Sequence, residues 1–428
     1  MPTTADDVFF DTNSGSATST ISAAITIKSL DMTGSTAGIS HSAVALTVSG
    51  GTGSVFTLAG AGKYLANGGP SASITFTGTT ATNSITTAGN IMGNITFNGT
   101  SGGWKLLDSL TASSTLQTVT LTAGTLDTNG QTMSIGLFAS PSSGTRVLTL
   151  GSSVINISGI GTALNVGITN LTVTTNTATA TLSGAGADAT LGSSKNYDGL
   201  SLVLSGSGDQ LLTANGSTFA NITRTGTEAK TDALSVSGTA VVTGTLTLNG
   251  NSATNRILVT SATLGTAATF TNTGATMTWS NVDFRDITIS TAYNASAITG
   301  LSGDAGGNSG ITFTTAETQT WSGTSGGNWS ANAWTSRVPL PQDNVVIGAM
   351  GTSQTITADM PRLGSNIDFS GATWTTALTW NYASSINQTM YGSLTLKENL
   401  TLATGLTLFN ETRTTSTFTS AGRTFGGS

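Results

Sequence analysis

The side chains able to do chemistry in this sequence are few and far apart. Cleavage of a glycosidic bond needs two carboxyl groups within about 10 Å, one acid and one base or nucleophile. Asp283 with Asp286, and Asp6 with Asp7, are the close pairs; glutamate occurs only at positions 228, 317, 398 and 411. Asp283 and Asp286 flank Phe284 and Arg285 in a strand-like run, where an ion pair or a corner hydrogen bond accounts for them as well as catalysis does. Asp6 and Asp7 have a counterpart in Gln342, Asp343 and Asn344, which points to a structural turn. The glycine-rich loop Gly303–Gly310 offers Asp304 and Asn308 as oxygen ligands for Ca²⁺. Its spacing matches neither an EF-hand nor a nonapeptide calcium repeat, so a plain turn is expected there.

His41, between Ser40 and Ser42, lacks the Gly-x-Ser-x-Gly context of a nucleophile elbow and reads as a solvent-facing corner. With no cysteine and this single histidine, thiolate and multi-histidine metal sites are excluded. The expectation is therefore no cofactor, no metal and no enzyme. Charged residues make up only 8% of the 428, and the formal net charge is −6. No Lys/Arg cluster marks a nucleic-acid partner, and no apolar run approaches the roughly 18 residues of a membrane span.

The elements that would have to position such groups are strands. Scarce Lys, Glu, Gln and Arg leave helices little to work with, while Thr, Val and Ile favour pleated surfaces. From Asp7 to about Phe313 the chain alternates apolar with small polar residues, as in Val44-Ala-Leu-Thr-Val48 and Leu246-Thr-Leu248, and breaks at clusters such as Ser49-Gly-Gly-Thr-Gly53. Each run predicts a strand with one face inward, each cluster a corner. Asn94-Ile-Thr96, Asn170-Leu-Thr172 and Asn221-Ile-Thr223 recur at intervals of 76 and 51 residues. Those intervals are near multiples of 25, the repeat length of a solenoid whose coils bury their inner faces on one another. The fold expected is all-β, a parallel β-helix or solenoid of roughly 25-residue coils, with a dozen coils spanning on the order of 60 Å at the usual strand spacing.

The start of the chain recurs. Shifted by 337 positions, Pro2 falls on Pro339, Val8 on Val345, Leu30 on Ile367, Asp31 on Asp368 and Gly34 on Gly371, without a gap. Residues 1–313 thus read as a first solenoid module and 343–428 as the start of a second, of about three or four coils. Between them, 314–342 read as a Trp/Gly/Ser-rich linker or plug holding Trp321, Trp329 and Trp334; Trp374 and Trp380 follow in the second module. The sequence closes on Thr-Phe-Gly-Gly-Ser without a recognisable cap, leaving an edge for further chain or a partner to cover. The N-terminus has neither the basic nor the apolar region of a secretory signal, which predicts assembly inside the cell.

Two phrases carry a resemblance. Asn328-Trp-Ser-Ala-Asn-Ala-Trp334 followed by Val338-Pro-Leu-Pro-Gln-Asp-Asn-Val-Val346 resembles the module opening of repetitive β-solenoid proteins of tailed phages, also similar to bacterial surface adhesin modules. Ser280-Asn-Val-Asp-Phe-Arg-Asp-Ile-Thr288 with Gly303-Asp-Ala-Gly-Gly-Asn-Ser-Gly-Ile-Thr-Phe313 is similar to the module ending. The resemblance implies a virion fibre, spike or capsid-decorating appendage, made in the host cytoplasm, with capsid or tail proteins as partners. It brings no catalytic residue to transfer. A host surface glycan is a possible ligand of outward Thr, Ser and Asn rows, and self-association, for instance as a trimer, is expected of flat Thr-rich faces. The alternatives are a bacterial surface adhesin and a tailspike polysaccharide depolymerase.

Overall fold

Short runs of branched apolar residues alternating with Thr and Ser have one low-energy use, as half-buried strands stacked in parallel on copies of themselves. The computed structural model describes residues 1–112, 115–331, 333–374, 378–383, 386–396, 400–402 and 408–410. It is an all-β parallel solenoid of about 24 residues per coil and about 16 coils, as the sequence intervals predict. No helix among the described residues is long and apolar enough to cross a membrane. The chain divides into two compact units, Met1–Arg224 with Val236–Leu246 and Thr271–Thr276, and Thr225–Ser235 with Thr247–Phe270 and Met277–Ser428.

In the first unit the register places like on like. Leu46 pairs with Ile74, Ile74 with Ile95, Ile95 with Val119, and Val119 with Phe138, one coil at a time. These five are buried. The neighbouring position is a threonine column, Thr47, Thr75, Thr96 and Thr120. Side chains alternate across a strand, so one column fills the core while the next stays at the surface. Each fully buried aliphatic side chain contributes about 1.5–3 kcal/mol, which explains how a chain so poor in charge holds together. Aromatics extend the core: Phe56 meets Phe76 edge-on, and Phe76 stacks on Phe97, with ring centroids 5.7 and 5.4 Å apart.

The corners need glycine for space. In Ile157-Ser-Gly159, Leu182-Ser-Gly184 and Leu204-Ser-Gly206, a Cβ on Gly184 would lie 1.8 Å from the Gly159 carbonyl oxygen, and one on Gly206 1.8 Å from that of Gly184. Backbone lies against backbone with no room for a methyl. Gly184→Ala is expected to destabilise the first unit by about 1–3 kcal/mol, the range of overpacking. Gly60, with open space around it, should accept alanine within about 0.5 kcal/mol. Hydrogen exchange of Thr179–Leu182 and Asn196–Leu204 reads the difference; equal protection in both variants would contradict the glycine column.

His41 departs from expectation. It is buried rather than solvent-facing, because Gly38–His41 pairs with Thr18–Ile21 and turns the ring inward. Its Nε2 lies 3.1 Å from the Val44 carbonyl and its Nδ1 against the Tyr64 hydroxyl. A carbonyl only accepts, so Nε2 carries the proton and Tyr64 donates to Nδ1, the neutral tautomer. Burial holds the imidazole below the ordinary histidine value despite the Val44 bond.

In the second unit, Ile257–Ser261, Val282–Arg285 and Ser302–Asp304 continue the parallel pattern. Thr318–Trp321, Asn344–Ile347, Ile367–Asp368 and Leu394–Thr395 then form one small parallel sheet, and Gly327–Asn328, Gln354–Ala358, Leu378–Tyr382 and Leu400–Leu402 another. The stretch expected as a linker or plug is thus a coil in its own right: Thr318 to Trp321 pair residue by residue with Asn344 to Ile347. Between the sheets lies a tryptophan cluster. Trp329 contacts Trp334 at 4.9 Å and stacks on Trp380 at 6.1 Å, and Trp321 meets Trp334 at 5.0 Å. Glu398, Glu411, Leu406 and the closing Thr-Phe-Gly-Gly-Ser lie outside the described residues.

The 337-residue spacing seen in the sequence also relates strand register and turn hydrogen bonds. Val8 pairs with Leu30, and Val345 with Ile367. Asp6 accepts the Thr3 amide at 2.7 Å, and Asp343 accepts the Leu340 amide at 2.9 Å. The Asp6 carbonyl receives the Lys28 N–H at 2.9 Å, that of Asp343 the Ser365 N–H at 2.7 Å. Asp31 closes its turn on the Thr33 amide at 2.8 Å, Asp368 on that of Ser370 at 2.7 Å. In each case the two residues stand 337 positions apart. The carboxylates at both module starts are turn-forming groups.

Candidate functional site

Asp283 sits within Val282–Arg285, whose neighbours are Ile257–Ser261 on one side and Ser302–Asp304 on the other. Its carboxylate is 1% exposed, and both oxygens are taken. Arg256 donates through Nε to Oδ1 at 2.8 Å, and Arg362 through Nε to Oδ2 at 2.5 Å. Arg256 also reaches the carbonyls of Val282, at 2.9 Å, and Leu301, at 3.1 Å, while Arg362 reaches that of Arg256 at 3.0 Å. Burial works to raise the Asp283 pKa, but the two guanidinium charges outweigh it and hold the carboxyl below its usual range. A carboxylate so held is a poor proton donor and has no free lone pair facing solvent.

Asp286 is held in a different net. It is mostly buried, in a left-handed conformation (φ 53°) that aspartate tolerates. Its Oδ2 accepts the Gly265 amide at 2.8 Å, and its backbone N–H donates to Gly306 at 2.9 Å. Gly307 lets the carboxylate lie against the backbone, since a Cβ there would stand 1.9 Å from Oδ1. The pair proposed from sequence for acid–base work is therefore split between an ion cluster and a corner.

The Asp304/Asn308 loop is likewise a corner. Asp304 Oδ1 accepts from the Gly306 amide at 2.9 Å and from Asn308 Nδ2 at 2.8 Å. Asn308 spans to the coil before it, donating to the Phe284 carbonyl at 2.8 Å and accepting the Ile287 amide at 3.0 Å. Asp304 Oδ1 and Asn308 Oδ1 thus each have a protein donor. Among the described residues no group of three or more His, Cys, Asp or Glu could hold a metal ion.

The partners of Asp283 escaped the sequence analysis because Arg256 and Arg362 stand 27 and 79 residues away, brought near only by coil stacking. A usable signal was there: in a chain with 14 Lys and Arg, an arginine at the start of an apolar strand, as in Arg256-Ile-Leu-Val, asks for a buried anion. Two further ion groups brace the second unit. Lys230 and Ser330 share Asp359, at 2.5 and 2.6 Å, and Arg337 grips Asp343 through Nε and Nη2 at 2.9 and 2.7 Å.

Elsewhere the first unit carries openings of different character. In the first unit an open groove of about 400 Å³ is lined by Asn83, Ser84, Lys105, Asp127 and Thr149 among others. Trp104 beneath it faces inward, 1% exposed, so the groove offers hydrogen bonds without an aromatic platform. At the N-terminal edge, Asp7–Phe9 and Thr18–Ile21 each pair on one side only among the described residues. They frame an apolar opening of about 180 Å³ whose lining includes Pro2, Val8, Phe10, Ile21, Ile27 and Leu30. Compared with family models, curated proteins and solved structures, the chain finds no match.

Proposed function

We propose that this chain is a non-enzymatic structural and attachment protein of a phage virion, one β-solenoid module and the start of the next in a fibre, spike or capsid-decorating appendage. The observation that carries the proposal is the restart: one set of turn hydrogen bonds and one strand register used twice, 337 residues apart. Building by repeating a module suits reach and display more than catalysis. The phrases around Trp329 and Asp283 that resemble phage solenoid modules add the virion. The engagement of Asp283, Asp286, Asp304 and Asn308 in internal bonds favours scaffold over depolymerase. Capsid or tail proteins and further copies of the chain, as in a trimer, are the proposed partners, with a host surface glycan as a ligand for the Thr and Ser rows. Assembly takes place in the host cytoplasm.

Immunogold labelling with antibody to the chain tests this. Gold at one fixed place on purified particles is the expected result. Gold on the envelope of uninfected bacteria would replace the proposal with a surface adhesin. Release of reducing ends from host polysaccharide would replace it with a depolymerase.

A further inference from the structure

His41, the single histidine of the chain, is buried in the first unit between two neighbouring coils. Its strand, Gly38–His41, pairs with Thr18–Ile21 on one side and with Tyr64–Leu65 on the other. Three backbone bonds fasten these coils around the ring: the Ile39 amide to the Lys63 carbonyl at 2.7 Å, the Ser42 amide to that of Ile21 at 3.1 Å, and the Gly68 amide to that of His41 at 3.1 Å. The ring meets Tyr64 edge to face, with centroids 5.8 Å apart. Thr18–Ile21 brings no titratable side chain to it, and Tyr64–Leu65 brings only the Tyr64 phenol, which burial keeps protonated. Lys63 is turned away, its Nζ donating to the Thr36 carbonyl at 2.8 Å. Among the described residues no carboxylate bonds to His41.

This pocket suits a neutral imidazole and not a cation. A proton arriving at Nδ1 meets a hydroxyl that already donates to that nitrogen. Tyr64 must then turn its hydrogen away, and among the described residues its hydroxyl bonds to nothing else. The imidazolium keeps one acceptor, the Val44 carbonyl, in place of water. Arg146 shows what the same unit supplies around a permanent cation: wholly buried, it donates to the carbonyls of Ser140 at 2.6 Å, Gly144 at 2.9 Å and Thr169. We propose that His41 and Tyr64 form an acid-released latch between the coils of Gly38–His41 and Tyr64–Leu65, which proton uptake at Nδ1 unfastens. The depressed His41 pKa agrees with this. A histidine held below its unfolded value of about 6.5 contributes fully above that pH and loses the contribution as pH falls below it. Asp188, raised by burial and by Asp209, works in the opposite sense and does not supply this loss. The latch is independent of the virion assignment; either can fail alone.

The probe is the proton itself, applied to the full chain. Hydrogen exchange of the Ile39, Ser42 and Gly68 amides, corrected for the intrinsic pH dependence of exchange, reads the opening of these coils. The open population should grow by up to about tenfold per pH unit below about pH 6.5, the slope that uptake of one proton gives. Val345 in the second unit, whose amide donates to Asn366 at 2.7 Å, should stay flat over the same range. In His41→Gln the side-chain amide can still donate to Val44 and accept from Tyr64 but takes up no proton, so the growth should vanish. A second measurement needs no variant. With one histidine in the chain, isotopic labelling of histidine nitrogen gives a single ring to follow by NMR, expected as the Nε2–H tautomer at neutral pH and titrating below about 6.5. A folded-state imidazole titrating at or above that value overturns the proposal. So does opening that stays constant from about pH 7.5 to 5, or that grows equally in His41→Gln.

Discussion

Replacing Asp283 with alanine is expected to cost the second unit about 3–5 kcal/mol, the loss that follows when one member of a buried ion cluster is removed. Two guanidiniums, on Arg256 and Arg362 and 4% and 7% exposed, would be left facing each other without an anion. Six of the seven tryptophans, all but Trp104, belong to the second unit. In a Trp104→Phe background, indole emission during urea unfolding therefore reports that unit alone. The sign of the pH dependence follows from the depressed Asp283 pKa. A carboxyl bound in its charged form contributes fully above its unfolded value of about 3.9 and loses that contribution as pH falls through the lower folded value. The gap between wild type and Asp283→Asn should thus be constant from pH 5 to 8 and shrink below about pH 4. A midpoint unchanged by Asp283→Ala would show that the cluster does not hold the unit together.

Trp329→Ala is expected to cost a similar amount, about 3–5 kcal/mol, for a fully buried indole whose site cannot collapse. Trp329 lies between Trp334 and Trp380, and its carbonyl accepts the Trp334 indole N–H at 2.8 Å. Removing it takes packing from Trp380 in one small sheet and from Trp334, which in turn meets Trp321 in the other. Its backbone bond to Thr357, 2.8 Å, is independent of the side chain, so the coil can still pair. The same fluorescence experiment measures the loss, and Trp329→Phe should recover part of it. An alanine variant within about 1 kcal/mol of wild type would show that strand pairing alone seats the coil.

Much of this architecture was legible in the sequence because a solenoid writes its coil length into its text. Asn94 and Asn221 each accept the amide of a threonine 24 residues ahead, Thr118 and Thr245, at 2.8 and 2.9 Å. Asn170, the third member of that set, instead stands at φ 60° and donates to Ser143 at 2.8 Å, so an Asn-apolar-Thr phrase marks a coil without fixing what its asparagine does. The module restart was visible as spacing, and its hydrogen bonds recur at that spacing. Contacts between coils left no local trace: Arg362 meeting Asp283 and Lys230 meeting Asp359 over several coils, and His41 turned onto Tyr64 in the next one. Each depends on how many residues lie in the corners between, and corner length varies from coil to coil. The coil at 318–337 was hidden for the opposite reason. Its Ser, Gly and Asn resemble a linker, and only residue-by-residue pairing with the next strand shows it to be part of the fold.

Cryo-electron microscopy of the native assembly tests the central claim most directly. The account predicts a coiled β-solenoid density extending from a capsid or tail. A chain found free of any particle, with a glycan-filled groove converging on Asp283 and Asp286, would contradict it.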